Sequence, residues 1–163
     1  MNGRRLLDRL ERFQLDAVTL EEAKRFFDER GDPGRARWMS LERTGYGVTT
    51  EAHNLRDVVG NDVPEDVIAS ILRCRLRRGQ LQVGPSGPVI HWPHFFVETL
   101  ETLRDWRNRV VHVPAGDTVV IELTRRSDPL EPRSLMFSPT VFIDVANAAT
   151  LEIADAVRKA TAS

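Results

Sequence analysis

Few residues in this chain are suited to bond-making chemistry. His91-Trp92-Pro93-His94 holds its one close histidine pair. Two imidazoles can begin a metal site, but a catalytic zinc site takes a third protein ligand. His53, His112 or a carboxylate would have to supply it. Structural or surface roles are the simpler assignment for these histidines. Cys74 falls mid-helix beside an apolar stripe, where a thiol serves as a small core group. Arg73 and Arg75 point elsewhere on that helix, so they give no reason for a lowered thiol pKa. Glu98, Glu101 and Asp105 follow helical spacing and read as a wet face, partly offset by Arg104. A paired-carboxylate catalyst needs one such group buried. Walker, Gly-x-Gly-x-x-Gly, Gly-x-Ser-x-Gly and His-Glu-x-x-His patterns are all missing. The sequence therefore assigns no catalytic residue, no metal and no cofactor. A small enzyme using His91, His94 or His112 is the third hypothesis.

Recognition chemistry is better represented. Asp57, Asp62, Glu65 and Asp66 cluster ahead of a long helix. Carboxylates there complement the helix dipole, and they also suit a basic protein partner, since charge complementarity speeds encounter. Arg73, Arg75, Arg77 and Arg78 cluster at the far end of the same helix and are the nucleic-acid contacts to weigh against that reading.

The overall charge favours neither. The chain has 163 residues, 23 basic and 24 acidic, for a net charge of −1, so a generic grip on nucleic acid or anionic lipid is not indicated. Arginine dominates lysine, as a GC-rich coding sequence would produce. A single cysteine excludes an intrachain disulfide and points to a reducing compartment. The opening MNGRRLLDRLERF has no apolar signal stretch, and no run approaches the roughly 18 apolar residues of a membrane span. The expected location is the cytoplasm, with no membrane partner.

The elements that position these residues change character along the chain. Leu6, Leu7, Leu10 and Phe13 give a first amphipathic helix. Thr19-Leu20-Glu21-Glu22 reads as a capping box opening a second, which Gly31-Asp32-Pro33-Gly34 ends. A third covers Arg35 to Arg43, with Trp38 and Leu41 inward. Thr49 or Thr50 caps a short helix, and Asp62 caps one running to about Arg78, with Gly79 as its stop. A hairpin follows around Gly84-Pro85-Ser86-Gly87-Pro88, and Pro93 restarts a helix through Trp106. Strands are predicted near 109–113, 118–124, 135–137 and 140–145. A turn falls at Pro114-Ala115-Gly116-Asp117, a loop at 127–132, and a helix at Ala148 to Ala160.

The stretch from Thr50 to Trp92, with Leu72-x3-Leu76-x2-Gly79-x-Leu81, resembles the helix-turn-helix and wing of winged-helix domains over about a quarter of the chain. That resemblance implies a recognition helix in the major groove and a wing on phosphates. The helix start, however, carries Asp62, Glu65 and Asp66, and the hairpin from Gln80 to Trp92 has no Lys or Arg.

The expected fold is α+β: residues 1–92 form a helical part ending in the winged-helix-like hairpin, and residues 93–163 a small, mostly antiparallel sheet packed with helices. The leading function is a non-enzymatic cytoplasmic protein-binding module. Its concrete form is a bacterial immunity or antitoxin-like protein that masks a partner through Asp57, Asp62, Glu65 and Asp66. The alternative is a winged-helix DNA-binding regulator using Arg73, Arg75, Arg77 and Arg78.

Overall fold

A computed structural model describes residues 2–47, 55–82, 87–110, 119–125 and 128–162. Helices α1 (Gly3–Glu11), α2 (Ala17–Glu29), α3 (Pro33–Thr44), α4 (Leu55–Val59) and α5 (Glu65–Arg75) come first. Strands β1 (Leu76–Gln82) and β2 (Val89–Phe95), helix α6 (Leu100–Val110), strands β3 (Val119–Arg125) and β4 (Asp128–Phe137), and helix α7 (Val141–Ala162) follow. The fold is α+β and mostly helical, with a small antiparallel sheet in the order β2-β1-β4-β3. Among the described residues, no helix is long and apolar enough to cross a membrane.

The first three helices start on capping side chains. Asn2 accepts from the Arg4 amide, Asp16 from the Thr19 amide at 2.7 Å and Asp32 from the Arg35 amide at 3.0 Å. The capping box expected at Thr19 is therefore replaced by Asp16, three residues earlier, whose charged oxygen takes the orphan amide itself. Asp62 does not cap α5 either. Pro64 occupies that position without a side-chain hydrogen bond.

Helix α5 ends at Arg75, not Arg78, and the chain passes directly into β1. Gly79 thus lies in a strand, and its missing side chain has another cause: a Cβ there would sit 2.7 Å from the Phe137 ring. Pro93 does not restart a helix; it belongs to edge strand β2, opposite Arg78. The Phe96 amide donates to the Arg75 carbonyl. Hydrogen-bonded pairs alternate from there, so Pro93 falls where its missing donor would point away from the sheet. The helix begins at Leu100 instead, where the Thr99 hydroxyl accepts from the Thr102 amide.

Other boundaries also move. Arg109 and Val110, expected in a strand, form the last turn of α6. The strand expected at 140–145 is the start of α7. Val141, Phe142, Val145 and Ala149 are all buried and lie on one stripe of that helix. The loop expected at 127–132 runs within β4 from Asp128 onward. The short-helix cap at Thr49 or Thr50, His53, the expected strand at 111–113, the turn at 114–117 and most of the hairpin tip lie outside the described residues.

A continuous apolar core joins the helices to one face of the sheet. Phe96, Phe137, Phe142 and Trp106 meet edge to face at ring separations of 5.3–6.1 Å, linking β4 and the end of the hairpin to α6 and α7. The hairpin is not a free wing, because β1 also pairs with β4 through Gln80–Met136 and Leu81–Leu135.

Candidate functional site

The densest polar cluster lies inside the protein. One turn of helical spacing sets Trp38 and Glu42 on the same side of α3, and Tyr46 follows four residues on. Trp38 Nε1 and the Tyr46 hydroxyl each donate to Glu42 Oε1 at 3.0 Å. Arg75, the last residue of α5, donates from Nε to both Glu42 oxygens at 3.2 and 3.0 Å and from Nη2 to Oε2. Its Nη1 donates to the carbonyls of Phe96 (2.7 Å) and Glu98 (2.6 Å). Arg75 and Glu42 both have 0% exposure. Its guanidinium carbon lies 4.8 Å from the Tyr46 ring centroid.

Burying an ion pair is costly unless the partners also satisfy the remaining donors and acceptors. Here they do. Burial alone would lower the Arg75 pKa, but the Glu42 charge outweighs it and holds the guanidinium charged. Burial, and then the Glu42 charge, push the Tyr46 hydroxyl well above its ordinary range. The same two causes, in that order, raise the Cys74 thiol, which donates to the Ser70 carbonyl. The Glu42 carboxylate, taking donors from Trp38, Tyr46 and Arg75, forms a brace between α3 and the end of α5.

No family model, curated protein or solved structure matches this chain.

Of the four arginines weighed as DNA contacts, Arg75 is the buried member of that brace. Arg73 holds Glu152 of α7 at 2.6 and 3.0 Å and the Ser70 hydroxyl. Arg77 donates to the carbonyls of Arg73 and Leu76. Arg78 is exposed. Arg77 and Arg78 are successive strand residues, paired with His94 and Pro93, so they face opposite sides of the sheet. The four do not converge on one basic face.

The four acidic residues do share a region, the corner formed by α4, the turn after it and the first turn of α5. All are exposed. Two are braced from within: Arg35 holds Asp66 at 2.8 Å and Asp32 at 2.7 Å, and Arg56 holds Glu65 and the Val63 carbonyl. Asp57 and Asp62 are in no ion pair among the described residues.

His91 and His94 are three apart on β2 and therefore point to opposite faces. His91 is exposed, and His94 meets Phe96 edge to face with ring centroids 4.7 Å apart. The Nε2 of His94 is buried with no hydrogen-bond partner among the described residues, and burial lowers its pKa. Among the described residues no three His, Cys, Asp or Glu side chains are placed to hold a metal. Glu98 departs from the expected wet face. It precedes α6, is half-buried, and burial raises its pKa. Glu101 and Asp105 are exposed.

The Glu42–Arg75 pair was not visible to sequence reasoning. Its signal was a lone acid among the inward residues of α3 and an arginine four residues beyond Ile71 on the α5 stripe.

Proposed function

We propose that this protein is a non-enzymatic, cytoplasmic protein-binding module of the bacterial immunity or antitoxin kind, masking a cationic partner through the acidic corner of α4 and α5. One observation carries the reading: four exposed carboxylates occupy one corner, and Arg35 and Arg56 brace two of them from behind. Charges held in place before encounter recognise a partner with less ordering cost than mobile ones. The titratable groups most removed from water are committed to the internal brace, which supports recognition over catalysis.

The experiment compares immobilised wild type with a variant carrying Asp57→Asn, Asp62→Asn, Glu65→Gln and Asp66→Asn. Both are exposed to native cell extract at moderate salt. A basic protein retained by the wild type and lost by the variant supports the reading. Equal retention, or none, overturns it.

The order α4, α5, β1, β2 favours a second reading, the winged-helix DNA-binding regulator. Its cationic contacts would rest mainly on Arg78, beside a helix start that repels phosphate. Gel retardation of duplex DNA that weakens with salt and with Arg78→Gln would favour it over the first reading.

A further inference from the structure

We infer that the two clefts meeting at Arg104 form a binding site for a small zwitterion with a branched apolar side chain, of the hydrophobic α-amino acid class. This site is separate from the acidic corner and does not depend on it.

The first cleft, about 90 Å³, is lined mainly by apolar side chains, among them Phe13, Leu15, Leu103, Phe142 and Ile143, with Asn147 and Thr150 as polar members beside Arg104. An apolar cavity of roughly 150 Å³ accepts a benzene ring, so this smaller one suits a four-carbon branched chain. The second cleft is polar, about 290 Å³, and includes Asp16, Arg43 and Glu101. Leu15, Leu100 and Arg104 line both, so the clefts adjoin.

The charged groups at the junction sort into occupied and available. Arg43 is held by Glu21 at 2.7 Å, and the Asp16 carboxylate accepts the Thr19 amide and lies within reach of the Arg104 charge. Glu42 reaches the polar cleft but is saturated by Arg75, Tyr46 and Trp38. Among the described residues Arg104 donates to the Leu15 carbonyl alone, which takes one of its five N–H donors. Glu101, three residues earlier on α6, is exposed, and neither it nor Arg104 is in an ion pair among the described residues. A guanidinium and a carboxylate one helical turn apart, at the mouth of an apolar slot, match a carboxylate, an ammonium and a hydrocarbon side chain.

Phe13 adds an independent sign. Its amide bonds the Leu10 carbonyl and the Gln14 amide bonds the Arg9 carbonyl, the closing pattern of a helix whose next residue is usually glycine. Phe13 takes that left-handed position at φ 54° and is 49% exposed. Phe13 holds a conformation costing about 1 kcal/mol and forms a wall of the first cleft.

The test is calorimetric titration of the full chain with L-leucine, 4-methylpentanoate (no ammonium) and isopentylamine (no carboxylate). Saturable leucine binding is expected, with each truncated analogue at least roughly tenfold weaker. Arg104→Gln should weaken leucine and 4-methylpentanoate but not isopentylamine. Glu101→Gln, at an exposed position, should weaken leucine and isopentylamine but not 4-methylpentanoate. Ala146→Met, which fills the slot and leaves both charged residues in the chain, should abolish all three. Absence of saturable leucine binding up to about 10 mM, or leucine binding indifferent to Glu101→Gln and Ala146→Met, overturns the site.

Discussion

Glu42 and Arg75, 33 residues apart in sequence, form an ion pair with no exposure on either side chain. The pair ties α3 to the point where α5 becomes β1. Through the Phe96 and Glu98 carbonyls it also holds the segment that leads from β2 to α6.

Removing one member should be severe. Glu42→Gln or Arg75→Met leaves an uncompensated buried group and should cost about 3–5 kcal/mol in denaturant unfolding. The double variant Glu42→Leu/Arg75→Met should cost clearly less than the sum of the single changes. Additive losses would show that the two residues act independently.

Gly79 should tolerate no side chain. Gly79→Ala places a methyl group against the Phe137 ring and should destabilise the fold by about 1–3 kcal/mol. Adding Phe137→Leu should recover part of that loss. Equal stability of Gly79→Ala and wild type in thermal unfolding would contradict the close approach.

Asp16 should matter more than Glu22 at the start of α2. Asp16→Ala removes the cap and should cost about 1 kcal/mol. Glu22 makes a partly exposed pair with Arg9, so Glu22→Ala should cost less than that. For Asp16, burial pushes the pKa up, but the Thr19 amide and then the Arg9 and Arg104 charges outweigh it, and the value is lowered. Its contribution is therefore present above the ordinary 3.8 and is lost as the pH falls through the lower folded value. Chemical unfolding of both variants at neutral and acid pH checks each part.

His94 should make the fold acid-sensitive at a higher pH. Its ring is kept neutral by burial, beside Phe96 and Phe137 and across the strand pair from Arg77. Below the ordinary value of 6.5 the unfolded chain takes up a proton that the folded chain resists. Stability should thus decline as pH falls from about 6.5 toward the lower folded value. Half-buried Glu98 works in the opposite sense: its raised pKa favours the fold at low pH, and that advantage fades as pH rises through the folded value. His94→Leu should flatten the decline between neutral and mildly acid pH, and an unchanged slope would assign it to other groups.

Much of the helical half was legible, because apolar spacing and buried faces coincide. Leu6, Leu10, Trp38 and Leu41 are buried as their periods require. The sheet was harder to read. The run Val141 to Val145 satisfies a strand period and a helix stripe at once, and only packing of Phe142 against Phe96 and Trp106 selects the helix. Prolines at 93, 129 and 132 read as breaks, yet β2 is an edge strand and the early part of β4 pairs with β3 alone among the described strands, where a missing donor is tolerated. The exposure of the acidic corner followed from its charge. The burial of Arg75 has only its place four residues beyond Ile71 as a sign, and nothing in the arginine-rich run points to the carboxylate 33 residues away.

The most direct test of the proposed function is the association rate between this protein and the basic protein it retains, measured by stopped flow across ionic strength. Masking through the acidic corner requires a rate that falls steeply with added salt and drops roughly tenfold or more when Asp57, Asp62, Glu65 and Asp66 are neutralised. A rate indifferent to both would contradict it.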